Sequence, residues 1–154
     1  MIPPFNEHGE LPPGVHEATF AEFEDRLGFS NRRRELLGRL CGVVLALEQA
    51  GVLRVYVGGS FVTTKEAPGD IDACWDLDPL VDVSALGPEF QEGGTLAGTA
   101  DLPDLHLMPD DPELRLVRSV LAWSREGRPK GIVALSLEPQ RLGRSGVSRS
   151  PREV

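Results

Sequence analysis

Two aspartates, Asp70 and Asp72, stand two residues apart and follow a Gly58-Gly59-Ser60 triplet after an interval of nine residues. Side chains alternate along extended backbone, so both carboxylates leave the same face if this segment is a strand. At a separation of about 4 Å they repel by about 4 kcal/mol at an effective dielectric of about 20. A divalent cation removes that repulsion, and magnesium characteristically takes one or two carboxylates together with phosphate oxygens. Paired ions of this kind can hold the attacking and leaving oxygens of an in-line phosphoryl displacement. The Gly58-Gly59-Ser60 triplet lets backbone approach a ligand without obstruction by Cβ. A helix opening at Ser60 would add free N–H groups and a hydroxyl, which suits a triphosphate. The candidates are Asp70 and Asp72 for metal and Gly58, Gly59 and Ser60 for phosphate. Lys65 is either a neutralising cation for that phosphate or an exposed loop lysine.

The elements around the triplet must position it. Val52 to Val57 is a β-branched run that reads as a strand ending at the glycines. Asp70 to Trp75 reads as a second strand, with Ile71, Ala73 and Trp75 turned into a core opposite the carboxylates. Upstream, Thr19-Phe20-Ala21-Glu22 has the form of a capping box opening a short helix that stops at Gly28. A longer helix follows, capped by Ser30 or Asn31. Its apolar face carries Leu36, Leu37, Leu40, Val43, Val44 and Leu47, and Gly51 ends it. Arg32, Arg33 and Arg34 occupy its first turn, where the helix dipole disfavours cations. They are either a solvated patch or a contact for an acidic partner or a nucleotide phosphate.

The first eighteen residues contain four prolines and read as an extended arm packed on the body through Ile2, Phe5, Leu11 and Val15. Residues 76 to 103 show little periodicity, and Leu105 to Met108 is a candidate third strand. Asp111-Pro112-Glu113 has the form of a helix start, while Glu126-Gly127-Arg128-Pro129 is a turn signal whose flanking apolar runs favour a hairpin, with room for a short helix before it. Trp75 and Trp123 are expected in the core, Cys74 is a small filler on the carboxylate face, and Asp76 is a surface or cap residue. His8 and His16 are expected to hold structural hydrogen bonds.

Composition sets the outer limits. The chain has 154 residues, 40% hydrophobic, with a net charge of −8. That is one domain with enough apolar content for a core. No apolar run approaches the roughly 20 residues of a membrane span, and the start lacks the basic-then-apolar order of a secretory leader. Two cysteines are too few for a disulfide framework, so a soluble cytoplasmic protein is expected. The acidic body disfavours nucleic-acid binding by charge alone. Residues 141–154 carry about +3 and read as a disordered basic tail beyond a domain of residues 1–140.

The glycine-serine turn followed by Asp70-Ile71-Asp72-Ala73 resembles the signature of the polymerase-beta-like nucleotidyltransferase superfamily. Three segments resemble an uncharacterised bacterial family assigned to it: Ile2 to His16, Gly59 to Asp76, and Gly127 to Val133. The resemblance implies an α+β fold with a mixed sheet backed by helices. It implies magnesium-dependent transfer of a nucleotidyl group from a nucleoside triphosphate to an acceptor hydroxyl on a small molecule, RNA or protein. Gly59 and Ser60 would hold the triphosphate, and Asp70 and Asp72 the metal. The superfamily's third carboxylate would be Asp104, or His106 in its place. The alternative is an inactive module of the same fold that binds a nucleotide or a protein partner, as in toxin–antitoxin or defence settings.

Overall fold

Alternate residues of the strands are buried in two separate apolar clusters, as a sheet covered on both faces requires. The computed structural model describes residues 1–90 and 92–137, and in it six strands form one mixed sheet. They are β1 (Val15–Ala18), β2 (Arg54–Gly58), β3 (Ile71–Asp76), β4 (Leu96–Ala97), β5 (Leu105–Asp110) and β6 (Ile132–Ser136), in spatial order β1-β6-β2-β3-β5-β4. The β1–β6 and β3–β5 pairs are parallel, and the other neighbours are antiparallel.

The helices are α1 (Phe20–Leu27), α2 (Asn31–Gln49) and α3 (Leu116–Leu121). The larger cluster joins Val55, Val57, Ile71, Ala73, Trp75 and Leu105 to the apolar faces of α1 and α2. The smaller one, Tyr56, Cys74, Ile132 and Ala134, meets Val117, Leu121 and Ala122 of the α3 segment. The chain is therefore α+β, a mixed sheet backed by helices. No helix among the described residues is long and apolar enough to cross a membrane. The basic tail at 141–154 and the expected domain end at 138–140 lie outside the described residues.

Local signals placed the first two helices well. Thr19 Oγ1 accepts from Glu22 N at 3.1 Å, and Gly28 N donates to Glu24 O at 2.9 Å at the other end. Only half of the capping box forms, because the Glu22 carboxylate accepts from Ile2 N instead of turning back to its own helix. That contact ties down the arm, whose Ile2 and Leu11 are buried as expected. Val15 is exposed, and the arm ends in strand β1, which was not foreseen. His16 makes a structural contact, its Nε2 lying 2.7 Å from Pro12 O.

The expected hairpin near the C-terminus does not form. The turn at Ser124–Arg128 exists, but Val120 and Leu121 belong to the end of α3, and β6 pairs with β1 and β2. Trp123 is 55% exposed rather than core. The short helix docks through Val117, Leu121 and Ala122, leaving Leu116, Val120 and Trp123 outside.

Neither reading of the arginine run describes Arg33. Its side chain is fully buried, and its guanidinium donates to four carbonyls: Leu27 (3.1 Å), Phe61 (2.7 Å), Thr63 (2.5 Å) and Lys65 (2.9 Å). It lies 4.2 Å from the Phe29 ring centroid and 4.7 Å from that of Phe61. Burial lowers its pKa to about 10, so it stays charged at neutral pH. Arg32 holds the far end of the same loop, donating to Pro68 O and Gly69 O. Ser30 Oγ donates to Glu66 O at 2.6 Å. The start of α2 thus fastens the whole interval between Ser60 and Asp70.

Replacing Arg33 by alanine strands several carbonyls and leaves a void, so Arg33→Ala should cost about 3 kcal/mol or more in urea unfolding at pH 7. The exposed neighbour serves as control: Arg34→Ala should stay within about 0.5 kcal/mol of wild type.

Candidate functional site

Antiparallel pairing of β2 with β3 sets Gly58 directly opposite Asp72. The chain then makes one 3-10 turn, Gly59–Val62. Gly59 sits at φ +71°, in the left-handed region, and a Cβ there would lie 3.0 Å from Asp72 Oδ2. Gly58 has a different reason to lack a side chain, since its Cβ would come within 2.7 Å of Leu121 Cβ. Gly58 therefore seats α3. Gly59, Ser60 and Lys65 line a hollow of about 530 Å³ together with Asp70 and Asp72.

A four-residue 3-10 turn carries little macrodipole. The helix terminus expected at Ser60 does not supply an anion site, so attraction for phosphate falls to side chains. Lys65 and Arg125, both exposed, line the hollow, as does the nearly buried Lys130. Sequence reasoning passed over Lys130, and its signal was slight, a lysine immediately before an apolar strand. Two backbone bonds fix its position, Lys130 N to Ala122 O at 2.8 Å and Gly131 N to Leu11 O at 2.9 Å. Glu10 of the arm also reaches the hollow, where it accepts from Arg128 at 3.0 Å.

Asp70 and Asp72 line the same hollow, although Asp70 precedes β3 rather than lying within it. Burial, and then the charge of Asp70, raise the Asp72 carboxyl above the ordinary carboxylate range, while His106, Lys130 and Arg125 act in the opposite direction. The Asp70 side chain is 42% exposed and lies 3.6 Å from His106 Nε2. His106 is the register partner of Asp72 across β3 and β5.

Asp104 does not share their hollow. It precedes β5, outside the strand alternation that would have aligned it with His106, and its carboxylate accepts from Arg39 at 2.6 Å and pairs with Arg32 at 3.1 Å. Those guanidinium groups hold its pKa below the usual value. A second hollow of about 410 Å³ also touches Asp72 and is lined by His106 with Leu96, Met108, Val117 and Leu121.

The rest of the carboxylate face is structural. Asp76 accepts from Tyr56 OH at 3.1 Å and from Arg118, which also donates to Asp110 at 3.1 Å. The Asp110 carboxylate caps α3 by accepting from the Val117 and Arg118 amides. Asp76 is thus an anchor for that helix. Cys74 is fully buried with its Sγ 4.0 Å from Asp110, and burial beside that acid raises its thiol to about 12. It is an inert filler, as its sequence context indicated.

Among the described residues, no group of three or more His, Cys, Asp or Glu side chains could hold a metal ion. Asp70 and Asp72 still fit the way magnesium is bound with a substrate, by one or two carboxylates completed by phosphate and water. Neither accepts a hydrogen bond from the described residues, and the one ion pair between them and the described chain is the 3.6 Å contact of Asp70 with His106.

The chain belongs to a family of unknown function, DUF6932, which matches residues 3–136. No curated protein and no solved structure matches it.

The raised pKa of Asp72 has a consequence for the ligand-free protein. The folded chain holds this proton more tightly than the unfolded chain, so ionisation of Asp72 costs stability as pH rises through its pKa. In a chelator, Asp72→Asn should melt above wild type at pH 7, and the gap should close below about pH 4. A lower melting temperature at pH 7 contradicts this account.

Proposed function

We propose that this hollow binds a magnesium nucleoside triphosphate and that the protein transfers the nucleotidyl group to an acceptor hydroxyl, on a nucleotidyltransferase-like fold. The observation that carries the reading is the register of β2 against β3. It brings a turn free of Cβ at Gly59 against Asp72, with Asp70 two residues before it in the same hollow. Composition alone does not require that juxtaposition.

In this reading Asp70 and Asp72 hold magnesium, which neutralises phosphate charge and polarises the reacting phosphoryl group. Gly59 supplies the close backbone wall and Ser60 a hydroxyl with no hydrogen bond among the described residues. Lys65 neutralises the departing phosphates. The acceptor oxygen bonds to the α-phosphorus, the bond to the bridging oxygen breaks, and pyrophosphate leaves. His106, beside Asp70 and bordering the apolar hollow, takes the hydroxyl proton in place of a third acid. Positioning and charge neutralisation carry most of the rate, since phosphoryl-type transfer asks for little covalent help from protein.

The engagement of Asp104 by Arg32 and Arg39 favours a second reading, a module that binds nucleotide without turning it over. Calorimetry with magnesium and each of the four nucleoside triphosphates tests what both share. Wild type should bind at least one of them, and Asp70→Ala/Asp72→Ala should lose at least about tenfold in affinity. Radiolabel transfer to any acceptor then separates enzyme from binding module. Absence of triphosphate binding at millimolar concentration removes both.

A further inference from the structure

The chain contains sixteen basic residues, and two of them are lysines. Both lysines, Lys65 and Lys130, line the same hollow. Arginine does the structural work elsewhere. Arg33 binds carbonyls, Arg118 binds Asp76 and Asp110, and Arg32 and Arg39 bind Asp104. Lysine and arginine are not equivalent here. Guanidinium suits fixed, planar partners inside a fold, whereas ammonium is a compact charge with three donors that adapts to phosphate oxygens.

Lys130 is 8% exposed, yet its ammonium has neither an ion pair nor a hydrogen bond among the described residues. Its stem is buried while the ammonium keeps access to the hollow, where it stands as a donor set with no committed partner. Asp72 feels its field but lies outside ion-pair distance. The ammonium therefore stands at the wall of the hollow with no ion pair to a described side chain, and Lys65 and Arg125 line the same space. The same lining carries Glu10, Asp70, Asp72 and Glu126, so the ligand that suits both signs is a phosphate chain that brings its magnesium.

We propose that Lys130 and Lys65 form a two-point clamp for a phosphate chain, a diphosphate or triphosphate, inorganic or carried by a nucleoside, with Lys130 as the dominant member. The clamp shares its hollow with the transfer reading but does not depend on transfer. It would serve a binding module equally. Lys130 is a positioning residue for the chain of phosphates.

The test is calorimetry in magnesium buffer with inorganic pyrophosphate, inorganic tripolyphosphate and the nucleoside triphosphates, on wild type, Lys130→Met, Lys130→Arg and Lys65→Met. Wild type should bind pyrophosphate or tripolyphosphate. Lys130→Met should weaken that binding about tenfold or more, Lys130→Arg should restore part of it, and Lys65→Met, at an exposed site, should weaken it less. The ligand-free Lys130→Met protein should melt close to the wild-type temperature, because methionine keeps the apolar packing of the stem and no described ion pair is lost. A merely structural lysine would lower it. Tighter binding of a nucleoside triphosphate than of tripolyphosphate assigns the chain to a nucleotide, and equal affinity assigns it to the inorganic anion.

A second measurement needs no variant. With two lysines in the chain, acetylation read by mass spectrometry reports each separately, and pyrophosphate should protect Lys130. Unchanged affinity in Lys130→Met, failure of wild type to bind either inorganic anion, or unchanged labelling of Lys130 overturns the clamp. Lys130-dependent pyrophosphate binding without label transfer from any triphosphate would end the transfer reading and keep the clamp. Label transfer that Lys130→Met does not slow would do the reverse.

Discussion

One buried guanidinium organises the working end of this protein. Arg33 joins the end of α1, through Leu27 O, to the turn after β2, through Phe61, Thr63 and Lys65. No carboxylate forms an ion pair with it among the described residues, so carbonyl dipoles and two aromatic rings replace the water it has lost. Lysine could not do this, because its three donors leave from one point and cannot span four separated carbonyls. With Arg32 and Ser30 holding residues 66 to 69, the interval between the glycine turn and the aspartates is fastened through its carbonyls to the start of α2, although residues 64 to 67 are exposed. Preorganised backbone of this kind is what a site that acts by positioning requires.

The opposite face of the sheet is held by different means. α1 and α2 cover their side with the large apolar cluster. The helical residues of α3 are none of them buried, and a relay of charge holds it, Asp110 at its amides and Arg118 bridging Asp110, Asp76 and the Tyr56 ring. The hollow lies where these two kinds of attachment meet. Its floor is fastened through Arg33, and α3, which contributes Val120 and Leu121 to its wall, is seated by this relay together with the apolar contacts of Val117 and Leu121.

What the sequence disclosed was mostly local or periodic. The alternation through Asp72, Ala73, Cys74, Trp75 and Asp76, the apolar stripe of α2 and the Thr19 cap follow from short-range rules, and all three hold. The glycine-serine turn and both aspartates share one hollow for the same reason. The failures needed long-range knowledge. Nothing local distinguishes Arg33 from Arg34, although one is buried and the other exposed. Val120 to Trp123 is too short for period to separate helix from strand, so a turn signal beside it suggested a hairpin. β6 pairs with β1 and β2, partners far away in sequence, and no turn rule announces such pairing. Asp104 looked like an active-site acid because the strand was extended one residue too early. Lys130 is exceptional only in its burial, which sequence does not display.

The sheet order has a consequence for how the protein is made. β6 lies between β1 and β2, although it is the last described strand to be synthesised. Until it emerges from the ribosome, the strand next to the N-terminal arm has no neighbour, and β2 exposes an unpaired edge. Closure must also wait for contacts across more than one hundred residues, from Val15 to Ile132, a separation that slows folding. Lys130 lies just before that strand, so the residue that completes the hollow and the strand that completes the sheet arrive together. A nascent chain is therefore denied a finished anion site until its fold can close.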